Sequence, residues 1–431
     1  MAQTIADVYS SNMETVRKDL PTLYEMAAEN TVYAKLKKGS ESIQIVKTPN
    51  GQDFRIPVET QPPGYVATAS LDGGALPTGS ATATQQMYQT YFPLFFGVDI
   101  GAGSIWNTAA DKATTNQWKN NLKKALPAFK RQADASFFNI SSGNQGLMAL
   151  STAYDTGNFT LDSEYGANLC QVGQRVEIFS NDLGTNRTSA VPSNLPYIDR
   201  ITRDGATVHV TNLGGITPGN DDYLLFSGAG GTGTSLSWVN GINYFHNEST
   251  SGSLLGLSKT NYPEILPNTV DAAGSLVPTH GLLLNTKIRV RQGSAPSKLF
   301  GVIHPAQAAQ IYTTGIAISE WQRGTSDKMI DIMPSDINDD MIRWCGVSHL
   351  KSTHQSKKRV DWLDLNNWGR VYLKEMDFMI GPDGRKFFEG RNGDGAVTLH
   401  WQYWLMVIEN FFCSNPATGG FVYNASIPTG F

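Results

Sequence analysis

The sequence predicts an α+β protein, and three observations lead there. A helix candidate with a polar face, "SIWNTAADKATTNQWKNNLKKALPAFKRQADASFFN", occupies 104–139. Short β runs between Gly, Asn and Pro turns fill 155–290. Strand and helix signals then alternate over 281–400.

Composition bounds the rest. A chain of 431 residues exceeds one small core, so two or more structural units are expected. Hydrophobic residues make up 40% and aromatic residues 10%, enough for a substantial interior. Charged residues reach only 17%, below the quarter or so usual in globular chains. Turn formers take their place, which suits a protein with much surface turned towards other protein. The net charge of −4 lacks the basic excess that grips phosphates, so nucleic acid reads as a neighbour and not as a ligand. Cys170, Cys345 and Cys413 lie far apart and form no disulfide scaffold. "MAQTIADVYSSNMETVRKDL" has no signal-peptide core, and "WLMVIENFF" is broken by Glu409 and too short to span a bilayer. The expectation is a soluble protein in a reducing cytoplasm.

In chain order, 1–38 read as helical segments broken at Pro21. The second, "LYEMAAENTVYAKLKKG", ends in lysines and Gly39. "ESIQIVKT" and "QDFRIPVE" flank Asn50-Gly51 as a hairpin. A small-residue stretch then leads to the strand-like "MYQTYFPLFFGVDIG". Residues 40–97 therefore form an extended two-stranded arm, too poor in apolar groups to stand alone, which must lie on its own chain or on a neighbour. In the long helix, Ile105, Ala109, Lys112, Leu122, Leu126, Phe129 and Ala133 give a partial three-to-four-residue period, with a bend possible at Pro127. "QRVEIFS", "PYIDRITRDGATVHVTNL", "DDYLLFSG" and "SLSWVNGINYF" read as strands of a small barrel or sandwich. After 281 come "TKIRVRQ", "KLFGVIHP", a helix at 305–314, the strand "MIRWCGVSHLKS", the hairpin "VYLKEMDFMIGPDGRKFFE" and the long strand "VTLHWQYWLMVIENFFCSNP".

Each candidate site meets a simpler structural account. His304 ends a strand beside Pro305. No carboxylate or nucleophile is near it in sequence, so it reads as a helix N-cap hinge, with Ala306, Ala308, Ala309, Ile311 and Tyr312 packing behind it. "FSGAGGTGTSLSW" at 226–238 imitates a phosphate loop, but Thr234 stands where lysine belongs and a strand is expected to follow. "DIGAGSIW" is a turn into the long helix. Cys345, His349 and His354 match no zinc spacing; as one strand, Cys345 and His349 would stand more than about 10 Å apart. Nothing brings together two of Asp361, Asp364, Asp377 and Glu389 as a glycosidase pair, and Asp383-Gly384 is turn chemistry. Lys119, Lys123, Lys124, Lys130 and Arg131, with Lys357, Lys358 and Arg359, read as solvated faces or as contacts to an acidic neighbour. Trp321, Trp344, Trp362, Trp368, Trp401 and Trp404 crowd the last third, serving core and protein interfaces. The chain is expected to have no catalytic, cofactor-binding or metal-binding residues.

The order of these elements resembles the major capsid protein of tailed double-stranded DNA bacteriophages, the family with the HK97-like capsid fold. The resemblance rests on the arm sequences "YAKLKKGSESIQIVKTPNGQDFRIPVE" and "MYQTYFPLFFGVDIG", on the helix "WNTAADKATTNQWKNNLKKALPAFKRQADASFF" and on "KLFGVIHPAQAAQIY". The closing strands "VYLKEMDFMIGPDGRKFF" and "WQYWLMVIENFF" and the insert ending "SWVNGINYFHNESTSGSLLGL" complete it. It implies an N-terminal arm at 1–39, an E-loop β-hairpin at 40–97 and a spine helix of a peripheral domain at 98–140. It further implies the start of an axial domain at 141–154, a β-rich insertion domain at 155–280 and the axial domain at 281–370. The closing peripheral strands and tail take 371–431.

The resemblance also implies self-assembly as hexamers and pentamers into an icosahedral virion shell around packaged double-stranded DNA, assembled in the host cytoplasm. Each E-loop would lie over the adjacent subunit. A portal and a cement or decoration protein are further implied partners, with no membrane and no cofactor. A separate scaffolding protein is expected, because only about forty residues precede the arm. Some members crosslink a lysine to an asparagine with a glutamate assisting. Lys47 lies on the arm here, with no identifiable partner. The second reading is a phage tail or other β-rich binding protein, and the third a glycan-processing enzyme.

Overall fold

The computed structural model describes residues 31–38, 53–61, 83–101, 111–143, 145–190, 196–229, 238–273, 298–311, 341–344, 347–381, 388–391 and 397–428. The α+β class is what it shows: one long helix, a few helical turns and three principal sheets.

The long helix runs Asp111–Phe137 and continues through Pro127. Leu122, Ala125, Leu126, Phe129, Ala133 and Phe137 recur at three-to-four-residue spacing and are all buried. Lys123, Lys124 and Arg131 are exposed, as expected of a solvated face. Lys130 departs from that expectation: it is buried, as is Asp134 one turn later.

This helix covers one face of a sheet built on the 17-residue strand Val397–Cys413, as the edge-to-face contact of Phe96 and Phe129 at 6.1 Å marks. Phe92–Gly101 pairs antiparallel with it, from Glu409↔Phe92 to His400↔Gly101. Trp368–Phe378 and Phe388–Arg391 were expected to pair with each other across Asp383-Gly384. Instead both pair with the long strand, at 405–413 and 397–402 respectively, because its length offers consecutive ladders to both. The turn 382–387 lies outside the described residues.

The expected helix ending in Lys37 and Lys38 is also corrected. Its described part is one turn, Val32–Lys35, capped by the Thr31 hydroxyl accepting from the Ala34 N–H at 3.2 Å. The two lysines are extended and pair in parallel with Gly369 and Arg370. Asp53–Gln61 pairs with Ala83–Thr90, in register from Asp53↔Thr90, as a two-stranded ribbon. Its Phe54, Ile56, Val58 and Met87 are buried on their own chain. The Asn50-Gly51 hairpin and the stretch 62–82 lie outside the described residues.

Among the described residues the β-rich segment is built on a six-stranded antiparallel sheet whose two end strands meet again. The Arg175↔Tyr197 bridge and the bonds from the Val176 N–H to the Pro196 carbonyl and from the Ile198 N–H to the Gln174 carbonyl close it as the expected small barrel. Its order is Val176–Phe179, Tyr223–Phe226, Leu147–Asp155, Asn158–Leu161, Thr207–Thr211 and Tyr197–Ile201. Leu147–Asp155 occupies an inner position in it. Thr156 (φ +44°) and Gly157 (φ +87°) form the two-residue turn to the next strand, a left-handed geometry matched to strand twist. "SLSWVNGINYF" does not continue as a strand; Ile242–Phe245 is a helical turn beginning at a buried Gly241. A β-carbon on Gly241 would collide with the Phe137 carbonyl, so the turn sits directly against the end of the long helix.

The third sheet is mixed, in the order Asn268–Asp271, Gly420–Tyr423, Val360–Asp364, Leu299–Ile303, Val347–Lys351 and Met341–Trp344. "MIRWCGVSHLKS", expected as one strand, is a hairpin of the last two, and Cys345 lies outside the described residues. A separate apolar cluster that includes Ile303, Ala308, Ile311, Val360 and Trp362 serves this sheet. The larger cluster joins ribbon, long helix, β-rich sheet and long strand.

Candidate functional site: buried polar joints and an open sheet face

His304 ends the strand Leu299–Ile303 and precedes helical residues 305–311. Its Nδ1 accepts the Ala306 N–H at 3.1 Å and its carbonyl accepts the Ala308 N–H at 3.0 Å, which is an N-cap. Burial lowers its pKa to about 4, and the nearby Lys357 charge adds to this. The ring is therefore neutral near pH 7, as a cap that accepts through Nδ1 must be. An unfolded histidine titrates near 6.5. The cap's contribution is thus complete above about pH 6.5 and is lost as pH falls towards 4. Ala308 behind it is 1% exposed. Equilibrium urea unfolding is expected to rank the variants: His304→Asn mildest, His304→Ala costing about 1 kcal/mol, and Ala308→Leu costing about 1–3 kcal/mol through overpacking.

The other candidates separate. His349 is fully buried; its Nε2 accepts the Trp362 indole N–H at 2.8 Å and its Nδ1 faces the Val347 carbonyl at 3.0 Å. Both nitrogens are engaged, and Gly301 is a glycine because a β-carbon there would overlap the His349 ring. His354 reaches away, Nδ1 to Asp134 Oδ2 at 2.8 Å. Among the described residues no three His, Cys, Asp or Glu side chains are grouped to hold a metal. Asp364 accepts from the Lys298 N–H and the Asn367 side chain, and Asp377 from the Phe378 N–H. The side chain of Glu389 and the glycine loop 230–237 lie outside the described residues.

Asp361 is the centre of a joint that no sequence motif announces. Arg359 grips its carboxylate with two bonds of 2.8 Å, from Nε and Nη2. The same guanidinium donates to Asn243 Oδ1 and to the His246 carbonyl at 2.7 Å each, and lies 4.0 Å from the Phe421 ring centroid. His246 Nδ1 meets Asp361 Oδ1 at 2.8 Å, and Gln355 Nε2 donates to Oδ2. Asn243 extends the network to the Asn139 carbonyl and to the Tyr165 hydroxyl.

Burial alone would raise the Asp361 pKa, but the Arg359 charge and the bonds from His246 and Arg359 hold it below its usual value. Burial lowers the His246 pKa, against the opposing pull of Asp361. Its Nε2 has no partner among the described residues and lies where a β-carbon on Gly419 would come within 2.8 Å. Arg359, placed by sequence in a solvated basic run, is thus the buried bolt joining the mixed sheet, the 242–246 turn and the end of the long helix.

A second joint surrounds Glu409. Tyr33 donates its hydroxyl to Glu409 Oε1 at 2.7 Å, and the Arg370 guanidinium lies 4.0 Å from the Tyr33 ring centroid. The Tyr33 N–H donates to Asp134 Oδ1 at 2.9 Å. The glutamate that interrupts the apolar run thereby ties residues 31–36 to the long strand, while Asp134 ties them to the long helix.

The long strand's other face is only partly covered. Tyr403, Leu405 and Val407 are buried, whereas Gln402, Trp404, Met406 and Ile408 are half-buried. Phe95, opposite Met406, is 46% exposed, and Leu373 on the neighbouring strand is 51% exposed. Trp404 lies flat over Gly97, where a β-carbon would come within 2.8 Å of its ring. No helix among the described residues is long and apolar enough to cross a membrane.

No family model and no curated protein matches the sequence. Solved structures with similar chains include the cyanophage A-1(L) capsid asymmetric unit, at 9% identity, with 94% of this chain and 93% of that chain covered and a TM-score of 0.47. The capsid of the native GTA particle is 8% identical over 92% of this chain and 90% of that one, at a TM-score of 0.44. The holo-SrpI encapsulin complex from Synechococcus elongatus PCC 7942 is 9% identical over 91% and 85%, at a TM-score of 0.40.

Proposed function

We propose that this chain is a major capsid protein, a subunit that self-assembles as hexamers and pentamers into an icosahedral head shell enclosing double-stranded DNA. The observation that carries the reading is the half-finished sheet. The long helix packs on one face, while the other carries Phe95, Trp404 and Met406, flanked on the neighbouring strand by Lys374 and Asp377 and by Leu373 exposed at a bulge. This is a partly covered apolar patch with a polar rim, of the kind that marks protein contact. Subunit-to-subunit contact is the economical cover for it.

The 27-residue helix weighs against a tail or other β-rich module, for which a much shorter helix is expected. The ribbon's root is buried on its own chain, and its outer part at 62–82, proposed as the E-loop tip over a neighbour, lies outside the described residues. A glycan-processing enzyme requires two converging carboxylates. Asp361 and Asp364 are each bound within structural networks, so the chain is proposed to be no enzyme.

The arm, E-loop, spine helix, insertion, axial and peripheral divisions belong to the same proposal. So do a separate scaffolding protein, a portal, a cement protein and a location in the virion shell. Negative-stain electron microscopy of the expressed chain, alone and with a co-expressed scaffolding protein, is the test. Closed shells or rings support the proposal, and a monomer under every condition overturns it.

A further inference from the structure

The ribbon strand Ala83–Thr90 and the sheet strand Phe92–Gly101 are one run of chain, divided at Tyr91. On the sheet side, backbone pairing with the long strand ends at Glu409↔Phe92. Beyond that point the two strands part, leaving the Thr90 and Phe411 carbonyls at the fork. Two buried side-chain amides take over where the ladder stops. Asn410 Nδ2 donates to the Thr90 carbonyl at 2.6 Å, and Gln89 Nε2 donates to the Phe411 carbonyl at 2.5 Å. Asn410 Oδ1 meanwhile accepts the Asn240 and Phe411 N–H groups at 2.9 and 2.8 Å. Asn410 is 0% and Gln89 3% exposed.

A third contact lies on the ribbon's edge. Arg55 and Tyr88 are opposite each other, and the Tyr88 N–H points out of the ribbon to the Leu255 carbonyl at 3.1 Å. Leu255 (φ +49°) and Gly256 (φ +90°) form the turn of the small hairpin Ser253–Leu254/Leu257–Ser258, held in turn by its N–H on the Tyr244 hydroxyl at 3.1 Å.

We propose that Gln89 and Asn410 form a latch that fixes the angle of the ribbon to the long-strand sheet, and that opening it frees the ribbon to swing about Tyr91 as a unit. The ribbon's own ladder supplies the rigidity: Gln89 pairs with Phe54 within it and reaches the Phe411 carbonyl only through its side chain. A swing must break the Tyr88–Leu255 bond and uncover part of the buried Phe54, Ile56, Val58 and Met87. This reading of the single subunit does not depend on the assembly proposal.

The test uses the unassembled full chain carrying Gln89→Glu together with Asn410→Asp, which remove both donors while keeping side-chain size and the acceptor at 410. Gln89→Leu is the uncharged second variant. The measurement is residue-resolved hydrogen exchange. The expected result is exchange at the Tyr88 amide faster by tenfold or more, with the ladder amides of Phe54, Ile56 and Val58 and the sheet amides of 147–161 unchanged. Unchanged exchange at Tyr88 in both variants overturns the proposal. So does a uniform rise over ribbon and β-rich sheet alike, which would make the amides ordinary contributors to global stability.

Discussion

Asp361→Leu is expected to destabilise the fold by about 3–5 kcal/mol, the usual cost of leaving one partner of a buried ion pair uncompensated. The guanidinium of Arg359 would keep its bonds to Asn243 and the His246 carbonyl but lose both carboxylate bonds in a site closed to water. Adding Arg359→Met should recover much of that loss, because paired apolar replacements of buried ions are often near neutral. Recovery would stop short of complete, since the His246 Nδ1 would still lack its acceptor. Urea unfolding of the single and double variants reads the coupling directly. Additive losses would show that the pair does not act as one unit.

Phe95→Glu with Leu373→Glu is expected to abolish assembly while leaving the subunit folded. Both side chains are about half exposed in the single chain, so neither change opens a cavity or buries a charge there. In an assembly the same carboxylates would be driven into an apolar contact. A loss of about 2 kcal/mol per contact, in the hot-spot range, is close to thirtyfold in each association constant and multiplies around a ring. Sedimentation velocity should show the variant as small species with circular dichroism unchanged. Shells forming at normal yield would remove this face from the account.

Periodicity made much of the fold legible. The buried stripe Leu122–Phe129–Ala133, the strand 397–413 and the strand-to-helix junction at His304 follow from local apolar spacing and capping, which a sequence displays. Pairing does not. Nothing local in "VYLKEMDFMIGPDGRKFFE" says that its two strands will share the long strand in preference to each other.

The buried charges were hidden for the same reason. Arg359 sits in a Lys-Lys-Arg run that looks solvated, and the residues that bury it, Asn243 and His246, are more than a hundred positions away. Lys37 and Lys38 depart from the expected helix because helix propensity favours them only locally, whereas a parallel partner at Gly369–Arg370 draws them into a sheet. The exposure of Phe95 is likewise a tertiary fact, since "FPLFF" alone does not say which of its rings the long helix covers.

The central claim is that this chain is complete only among its own copies. Electron microscopy of the purified full chain, co-expressed with a scaffolding protein and then imaged as eluted, tests it most directly. The account predicts closed shells of uniform diameter built from five- and six-fold rings. A population that stays monomeric across concentration, salt and scaffold conditions, with Phe95 still exposed, would contradict it.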